Sequence, residues 1–456
     1  MGWIELPSTA GQVVDKLESA GEMEQNGRRA ALHNLGCKVN AYETEKMKAM
    51  LEAGGYEIVD FEEEADVYVI NTCSVTAIAD KKSRQMIHRA RRRNPQAIVV
   101  AAGCYVQRPE LTPESLDCDI ILGNDEKQML LSRIARFEQD GTAQVARHDI
   151  NEAGESFEEL FDGGSSERIQ PAGRTRAFVK VQDGCDQFCT YCRIPYVRGR
   201  SRSRSLGSVL AEIRALCGQG YQEIVLTGIH ISSYDGNGCG LIGLCEAIDR
   251  QTAVRRLRLG SLEPRIVTED FVRRLADLPS VCPHFHLSLQ SGSDTVIQRM
   301  NRKYTTADFA DSVALLRRFF DNPAVTTDVI AGFPGETETE FAKGRAFLEQ
   351  MQFYEMHVFP YSRREGTRAA RMDGQLPNRV RQERARELIA LAQRMSREYR
   401  RSWQGREVEV LFEEAETMDG IQYWSGFTRE YVRVSHPSDK ELANQICQII
   451  YDAKEL

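Results

Sequence analysis

The chain has 456 residues, 41% hydrophobic and 28% charged, with a formal net charge of −8. At roughly 100–200 residues per domain this predicts two to four domains, and the acidic balance excludes global attraction to nucleic acid while allowing a local basic patch. Twelve cysteines, with no run of about 18 apolar residues and no signal peptide, predict a cytoplasmic protein without a membrane partner that uses its thiols for metal or redox chemistry.

Residues 1–27 read as a weakly specified extension. From 28 to 150 the pattern alternates. Strands are expected at 29–37, 67–71, 97–104 and 119–123, and helices at 42–55, 77–93 and 125–141. Such alternation predicts an open parallel α/β sheet. Cys37, Cys73 and Cys104 each fall at or just past the C-terminal end of an expected strand, where open α/β sheets bind ligands. Residues 151–174 are acidic and Gly/Ser-rich, a linker composition. In 175–403 six strands are expected, at 177–182, 223–229, 255–261, 284–290, 324–333 and 355–361. With a long helix over 377–403, they predict a partial (β/α)6 barrel with its site at the C-terminal strand ends. The tail, 404–456, alternates like a small antiparallel β-barrel.

The loop after the first barrel strand reads GCDQFCTYCRIPYVRGRSRSR. Cys185, Cys189 and Cys192 have the spacing C-x3-C-x2-C. A structural zinc site takes four closed ligands, and no fourth is evident nearby. A cubane iron–sulfur cluster held by three thiolates keeps one iron open for a ligand. Spacing, the aromatic Tyr191 before the third cysteine and the position after the first strand resemble the radical S-adenosylmethionine (SAM) superfamily. That resemblance implies a catalytic [4Fe-4S] cluster on Cys185, Cys189 and Cys192, with SAM on the open iron and Tyr191 beside it. LGCKVNAYETE, NTCSVTAIADKKSR and AAGCYVQ resemble the N-terminal domain of the radical SAM methylthiotransferases. This implies a second [4Fe-4S] cluster on Cys37, Cys73 and Cys104, and a TRAM-like RNA-binding tail. One cluster would yield a carbon radical from SAM able to take hydrogen from an unactivated C–H bond, and the other would carry sulfur.

Ser261, Glu263, Gln290 and Asp328 lie at expected strand ends, as does the turn Gly332–Gly335, and are candidates for the SAM pocket. Arg193, Arg198, Arg200, Arg202 and Arg204 fall within twelve residues without an acid among them. Arginine binds phosphate bidentately, so Arg198, Arg200, Arg202 and Arg204 are expected to contact RNA. The flanks GCKVNAYETE and GIHISSYD resemble the branch acting on N6-threonylcarbamoyladenosine beside the tRNA anticodon. The resemblance therefore implies a tRNA anticodon stem-loop as partner and an electron donor such as a flavodoxin or ferredoxin. The alternatives are methylthiolation of isopentenyl-adenosine or of a ribosomal-protein aspartate. A non-catalytic iron–sulfur RNA-binding protein is an alternative of another class.

Overall fold

The computed structural model describes residues 27–148, 150 and 175–452. The extension expected at 1–27, Gly27 apart, and the linker expected at 151–174 lie outside the described residues.

The first sheet holds β1 (Arg29–Asn34), β2 (Glu57–Val59), β3 (Val67–Thr72), β4 (Ile98–Gly103), β5 (Ile120–Leu122) and β6 (Gln144–Ala146). All pairings are parallel and the order is β2-β1-β3-β4-β5-β6. Two edge strands thus join the four read from the sequence. β3 and β4 are buried along their whole length, as apolar strands covered on both faces must be. Helices α1 (Lys38–Ala53) and α3 (Leu130–Asp140) pack on one face through Met47, Leu51, Leu130 and Ile134. Helix α2 (Ala77–Arg93) covers the other through Ile87 and Ala90. In this strand order the direction of winding reverses between β1 and β3, where such folds place their ligand. Cys37 follows β1 and Cys73 follows β3.

Six parallel strands form the central domain, as expected. β7 (Arg176–Asp183), β9 (Glu223–Gly228) and β10 (Arg256–Leu259) make one run, with the short β8 (Arg202–Ser203) antiparallel at the edge of β7. β11 (His284–His286), β12 (Ala324–Ala331) and β13 (Glu355–Pro360) make the other. The parallel bridges Leu257–Val281 and Leu262–Leu287 join the two runs into one open barrel wall. Five helices, α4 (Leu206–Gly218), α5 (Leu241–Gln251), α6 (Glu269–Ala276), α7 (Thr306–Phe319) and α8 (Glu338–Met351), alternate with the strands and close one core around them. Thr305 and Thr337 open α7 and α8 with capping boxes. A long helix, α9 (Asn378–Arg401), runs back along β12 and β13.

β14 (Glu407–Met418), β15 (Ile421–Thr428), β16 (Arg433–Pro437) and β17 (Ile446–Ile450) form a curled antiparallel sheet in the order β16-β15-β14-β17. It closes the bottom of the barrel. Arg256, at the start of β10, reaches Glu409 at 3.0 Å and the Phe427 carbonyl at 2.9 Å. Arg258 donates to the Arg429 carbonyl at 2.9 Å and to both oxygens of Glu223.

Candidate cluster sites and the cavity beside them

The two cysteine triads sit on turns that follow parallel strands of separate sheets. In the first domain Cys37 is the N-cap of α1, and no side chain caps the helix. The positive end of a helix favours a thiolate. Gly36 has φ +113°, and a Cβ there would lie 2.8 Å from both Cβ and Sγ of Cys73. Only glycine lets this turn close onto the second cysteine. Cys104 follows β4, with Asn124 Nδ2 at 3.7 Å from its sulfur.

In the second domain the cysteine loop is built around Gly184, which has φ +68° and where a Cβ would lie 1.8 Å from the Arg200 carbonyl oxygen. The Cys185 amide donates to the Gly199 carbonyl at 3.1 Å. Thr190 ties the loop to Met300 and Arg299, and the Ala369 amide donates to its carbonyl at 2.8 Å. Tyr191 packs edge-on against Phe333 of the 332–335 turn, with ring centroids 6.4 Å apart, so the structure brings those two sequence features together.

Donor chemistry tests whether clusters fit. Arg302 Nη1 lies 3.3 Å from Cys189 Sγ, the Gln187 amide 3.5 Å from Cys185 Sγ and the Ile194 amide 3.4 Å from Cys192 Sγ. Such N–H donors are what anionic cluster sulfurs accept. Among the described residues the only three His, Cys, Asp or Glu ligand atoms all within 4.8 Å of one another belong to His286, Asp328 and His357. Neither cysteine triad closes to that span. Sulfurs around one tetrahedral zinc, about 2.3 Å from the metal, would. Burial pushes the Cys185 thiol up to about 11 and the Cys73 and Cys192 thiols up to about 12, so metal must displace protons from them.

A buried charge network joins the two sites. Arg198 is fully buried and donates to Asn40 at 2.6 Å, Glu43 at 2.9 and 3.0 Å, and Asp183 at 2.9 Å. Lys180 bonds Glu43 at 2.8 Å and Asp183 at 2.6 Å, and Lys127 also bonds Glu43. Three cations thus face two carboxylates, and Arg198 acts electrostatically on Cys37, Cys73 and Cys104. A buried surplus of positive charge needs an anion, and a cluster on three thiolates is one. Burial would raise the two carboxyls, but Arg198 and its neighbours hold Glu43 well below the usual range and Asp183 at about 2.

The arginine run is therefore not the RNA cradle expected from its composition. Arg198 is internal. Arg204 is buried and engages Glu212, which also binds Lys46 of α1 at 2.7 Å. Arg202 is nearly buried and pairs with Asp125 at 2.9 Å. All three hold the first domain against the barrel. Arg200 alone is exposed, beside Asp186 and over the Phe188 ring. The density of basic charge lies elsewhere: residues 361–406 carry thirteen arginines and five acids. The loop that opens this segment touches both cysteine sites, Arg364 through Asp80 at 2.8 Å and Ala369 through Thr190. Its Arg363, Arg368 and Arg371 are exposed.

The expected SAM-pocket residues separate into groups. Glu263 is buried, with its amide on Ser232 Oγ at 2.8 Å and its carboxylate 3.4 Å from His230 Nε2. Among the described residues its buried Oε1 has no hydrogen-bond partner. Burial alone would raise this carboxyl, but His230, Arg302 and Arg265 hold it below the usual range. Ser261 is exposed two residues away. Gln290 has φ +72°, strained for a residue with a side chain, and bridges backbone to backbone with β12. Asp328 groups with His286 at 3.4 Å and with His357, its register partner on β13, rather than with Glu263. Sequence reading missed Arg302, His286, His357 and the Glu43 network, because nothing local marks them.

A cavity of about 380 Å³ opens where all three domains meet, lined by Cys37 and Lys38, by Arg176 of β7, and by Glu413, Glu414 and Tyr431 of the C-terminal domain.

Residues 29–123 match the model of the uncharacterized protein family UPF0004, and residues 179–348 match the radical SAM superfamily. The chain is 39% identical over 424 residues to the threonylcarbamoyladenosine tRNA methylthiotransferase MtaB of Bacillus subtilis, covering 92% of each chain. It is 34% identical to the protein of the same name from Aquifex aeolicus, covering 92% of this chain and all of that one. A tRNA-2-methylthio-N(6)-dimethylallyladenosine synthase of Acetivibrio thermocellus is 33% identical over 92% of this chain and 87% of its own. The fold is similar to that of the radical SAM methyltransferase TsrM of Kitasatospora setae, with a TM-score of 0.54 at 18% identity, over 86% of this chain and 79% of that one. Two family matches that fall on the two cysteine-bearing domains, with MtaB relatives at 39% and 34% identity over 92% of the chain, identify the chain as a member of the radical SAM methylthiotransferase family, in its MtaB group.

Proposed function

We propose that this protein is a tRNA methylthiotransferase that adds a methylthio group to C2 of N6-threonylcarbamoyladenosine beside the anticodon. The observation that carries the reading is the pairing of two cysteine triads, each on the C-terminal edge of its own parallel sheet, across the buried Arg198 network. When bound, two [4Fe-4S] clusters and SAM supply a carbon radical for the C–H bond and the sulfur that replaces the hydrogen.

The chain's own residues hold and insulate these groups. Cys185, Cys189 and Cys192 would ligate the SAM-cleaving cluster, with Arg302 donating to Cys189. Glu263 and the Phe333 turn, with Tyr191 against it, would border SAM. Ser261 and Gln290 remain candidates for the same pocket, as does Asp328, which groups with His286 and His357. Cys37, Cys73 and Cys104 would hold the second cluster. The curled C-terminal sheet would serve as a TRAM-like RNA module. Its residues 405–456 carry eleven acids and five basic residues, so phosphate contacts fall instead to exposed arginines such as Arg368 and Arg371, and to Arg200 at the cysteine loop. The target base must leave its stack, which is easier in a single-stranded anticodon loop. A flavodoxin or ferredoxin would supply the electron, and a tRNA substrate would place the enzyme in the cytoplasm. Among the described residues no helix is long and apolar enough to cross a membrane.

The relatives of the MtaB group match this chain at up to 39% identity and the dimethylallyladenosine synthases at 33–34%, which favours the threonylcarbamoyl substrate. The test is nucleoside mass spectrometry of tRNA from a strain lacking this activity. Expression of the chain is expected to restore 2-methylthio-N6-threonylcarbamoyladenosine. Restoration of the dimethylallyl derivative instead would reassign the substrate.

A further inference from the structure

We propose that the cavity where the three domains meet is a subsite for the anionic arm of the modified adenine, and that Lys38 is the cation that receives the arm's carboxylate. The inference rests on the threonylcarbamoyladenosine reading and names the group that recognises it.

The cavity carries four charged side chains, and their commitments differ. Arg176 is occupied: its guanidinium holds Glu413 at 2.7 and 3.0 Å and lies over the Phe427 and Tyr431 rings at 4.7 and 4.9 Å. Glu413 is occupied in turn, accepting a further hydrogen bond from Thr175 Oγ1 at 2.7 Å. Lys38 is exposed to the cavity and has no hydrogen bond or ion pair among the described residues. Arg258 and Arg176 repel its charge and Glu223 attracts it. That carboxylate is already held by Arg258 at 2.8 and 3.0 Å, with Arg256 at 3.7 Å. The wall behind Lys38 therefore offers cations and a spent acid, and the ammonium points to an anion from outside the chain.

A lysine is a flexible point charge that meets a carboxylate from several directions. A threonylcarbamoyl arm presents one carboxylate, a hydroxyl and ureido N–H groups. A dimethylallyl arm presents none of these. Glu414, exposed on the C-terminal side of the cavity and without a hydrogen bond or ion pair among the described residues, is an acceptor suited to the hydroxyl and N–H groups. Position adds a second reason. Lys38 directly follows Cys37, a proposed ligand of the sulfur-carrying cluster. In adenine C2 and the N6 substituent flank N1 on one edge of the ring, so an arm anchored at Lys38 keeps the reacting carbon on the side of that cysteine. The cavity volume of about 380 Å³ falls in the range of small-ligand pockets.

The experiment measures binding rather than turnover. Cluster-loaded protein is titrated with three fluorescent anticodon stem-loops, which carry the threonylcarbamoyl group, its carboxylate methyl ester, or a dimethylallyl group. The native chain is expected to bind the acid loop about tenfold more tightly than the ester, the scale of one charge-assisted contact. Lys38→Met is expected to bring that ratio within about twofold of unity while leaving ester binding and iron content unchanged, and Lys38→Arg to keep most of it. A Lys38→Met chain that still prefers the acid tenfold overturns the Lys38 assignment alone. A native chain that binds the dimethylallyl loop as tightly as the acid loop overturns the substrate reading and this subsite with it.

Discussion

Replacing Cys185, Cys189 and Cys192 with alanine is expected to halve the iron of the anaerobically reconstituted protein, from about eight to about four per chain, and to abolish SAM cleavage. Replacing Cys37, Cys73 and Cys104 is expected to halve the iron as well but leave SAM cleavage measurable. The asymmetry follows from the architecture. Each triad is shaped by its own turn, the first by Gly36 closing on Cys73 and the second by Gly184 closing on Arg200. Arg302, the donor to Cys189, comes from the barrel, as do Glu263 and the Phe333 turn that packs on Tyr191. Removing the N-terminal thiols leaves all of these in place. Full iron in the N-terminal variant would remove the second cluster from the account. SAM cleavage by the barrel variant would remove the first.

Arg198→Met is expected to be the most disruptive single substitution outside the cysteines. Its guanidinium is fully buried and satisfies Asn40, Glu43 and Asp183 at once. Deleting one partner of a buried ionic network costs about 3–5 kcal/mol, because the carboxylates stay behind without their cation. Against a typical total of about 5–15 kcal/mol that is a large fraction, and at about 2–4 °C per kcal/mol it corresponds to a fall in melting temperature of about 10 °C. Glu43→Gln combined with Arg198→Met should recover part of the loss, since acid and base are then removed together. Arg198→Lys should recover little, because a point charge cannot bridge three partners in the plane of a guanidinium. Calorimetry on the four chains checks this. A variant that melts with the native protein would mean the network does not hold the domains together.

The same network marks where sequence reading ran out. β3 and β4 were legible because parallel strands buried on both faces read as continuous apolar runs, and the six barrel strands because strand-like segments recur between helical ones. The six candidate cluster cysteines were legible because Cys37, Cys73 and Cys104 follow strand ends and Cys185, Cys189 and Cys192 share one compact spacing. β2 and β6, three residues each at the sheet edges, carry too short a pattern to register. The arginine run was misread because composition shows charge without its partners. Glu43 sits in YETEKMKAM, which reads as an ordinary solvated helix, and nothing local says that this helix will dock on β7 with that side chain buried. Asp328 was placed at a strand end without the two histidines that only the register of β11, β12 and β13 brings beside it. Lys38 stood in plain view beside a cysteine. What singles it out is that Arg176, Glu413 and Glu223 around it are already paired, a property of three domains assembled.

The central claim is methylthiolation of the threonylcarbamoyl base, and competition tests it most directly. Cluster-loaded enzyme with SAM and a reductant is offered equal amounts of matched anticodon stem-loops, one bearing the threonylcarbamoyl group and one the dimethylallyl group, and products are read by mass. A pocket built for a carboxylate and hydrogen-bonding groups leaves its polar partners unsatisfied around an apolar arm, at about 1–3 kcal/mol each. Two such losses, at about 1.4 kcal/mol per tenfold, predict roughly thirtyfold or greater preference for adding the methylthio mass to the threonylcarbamoyl loop. Equal turnover of the two loops, or preference for the dimethylallyl loop, would contradict the account.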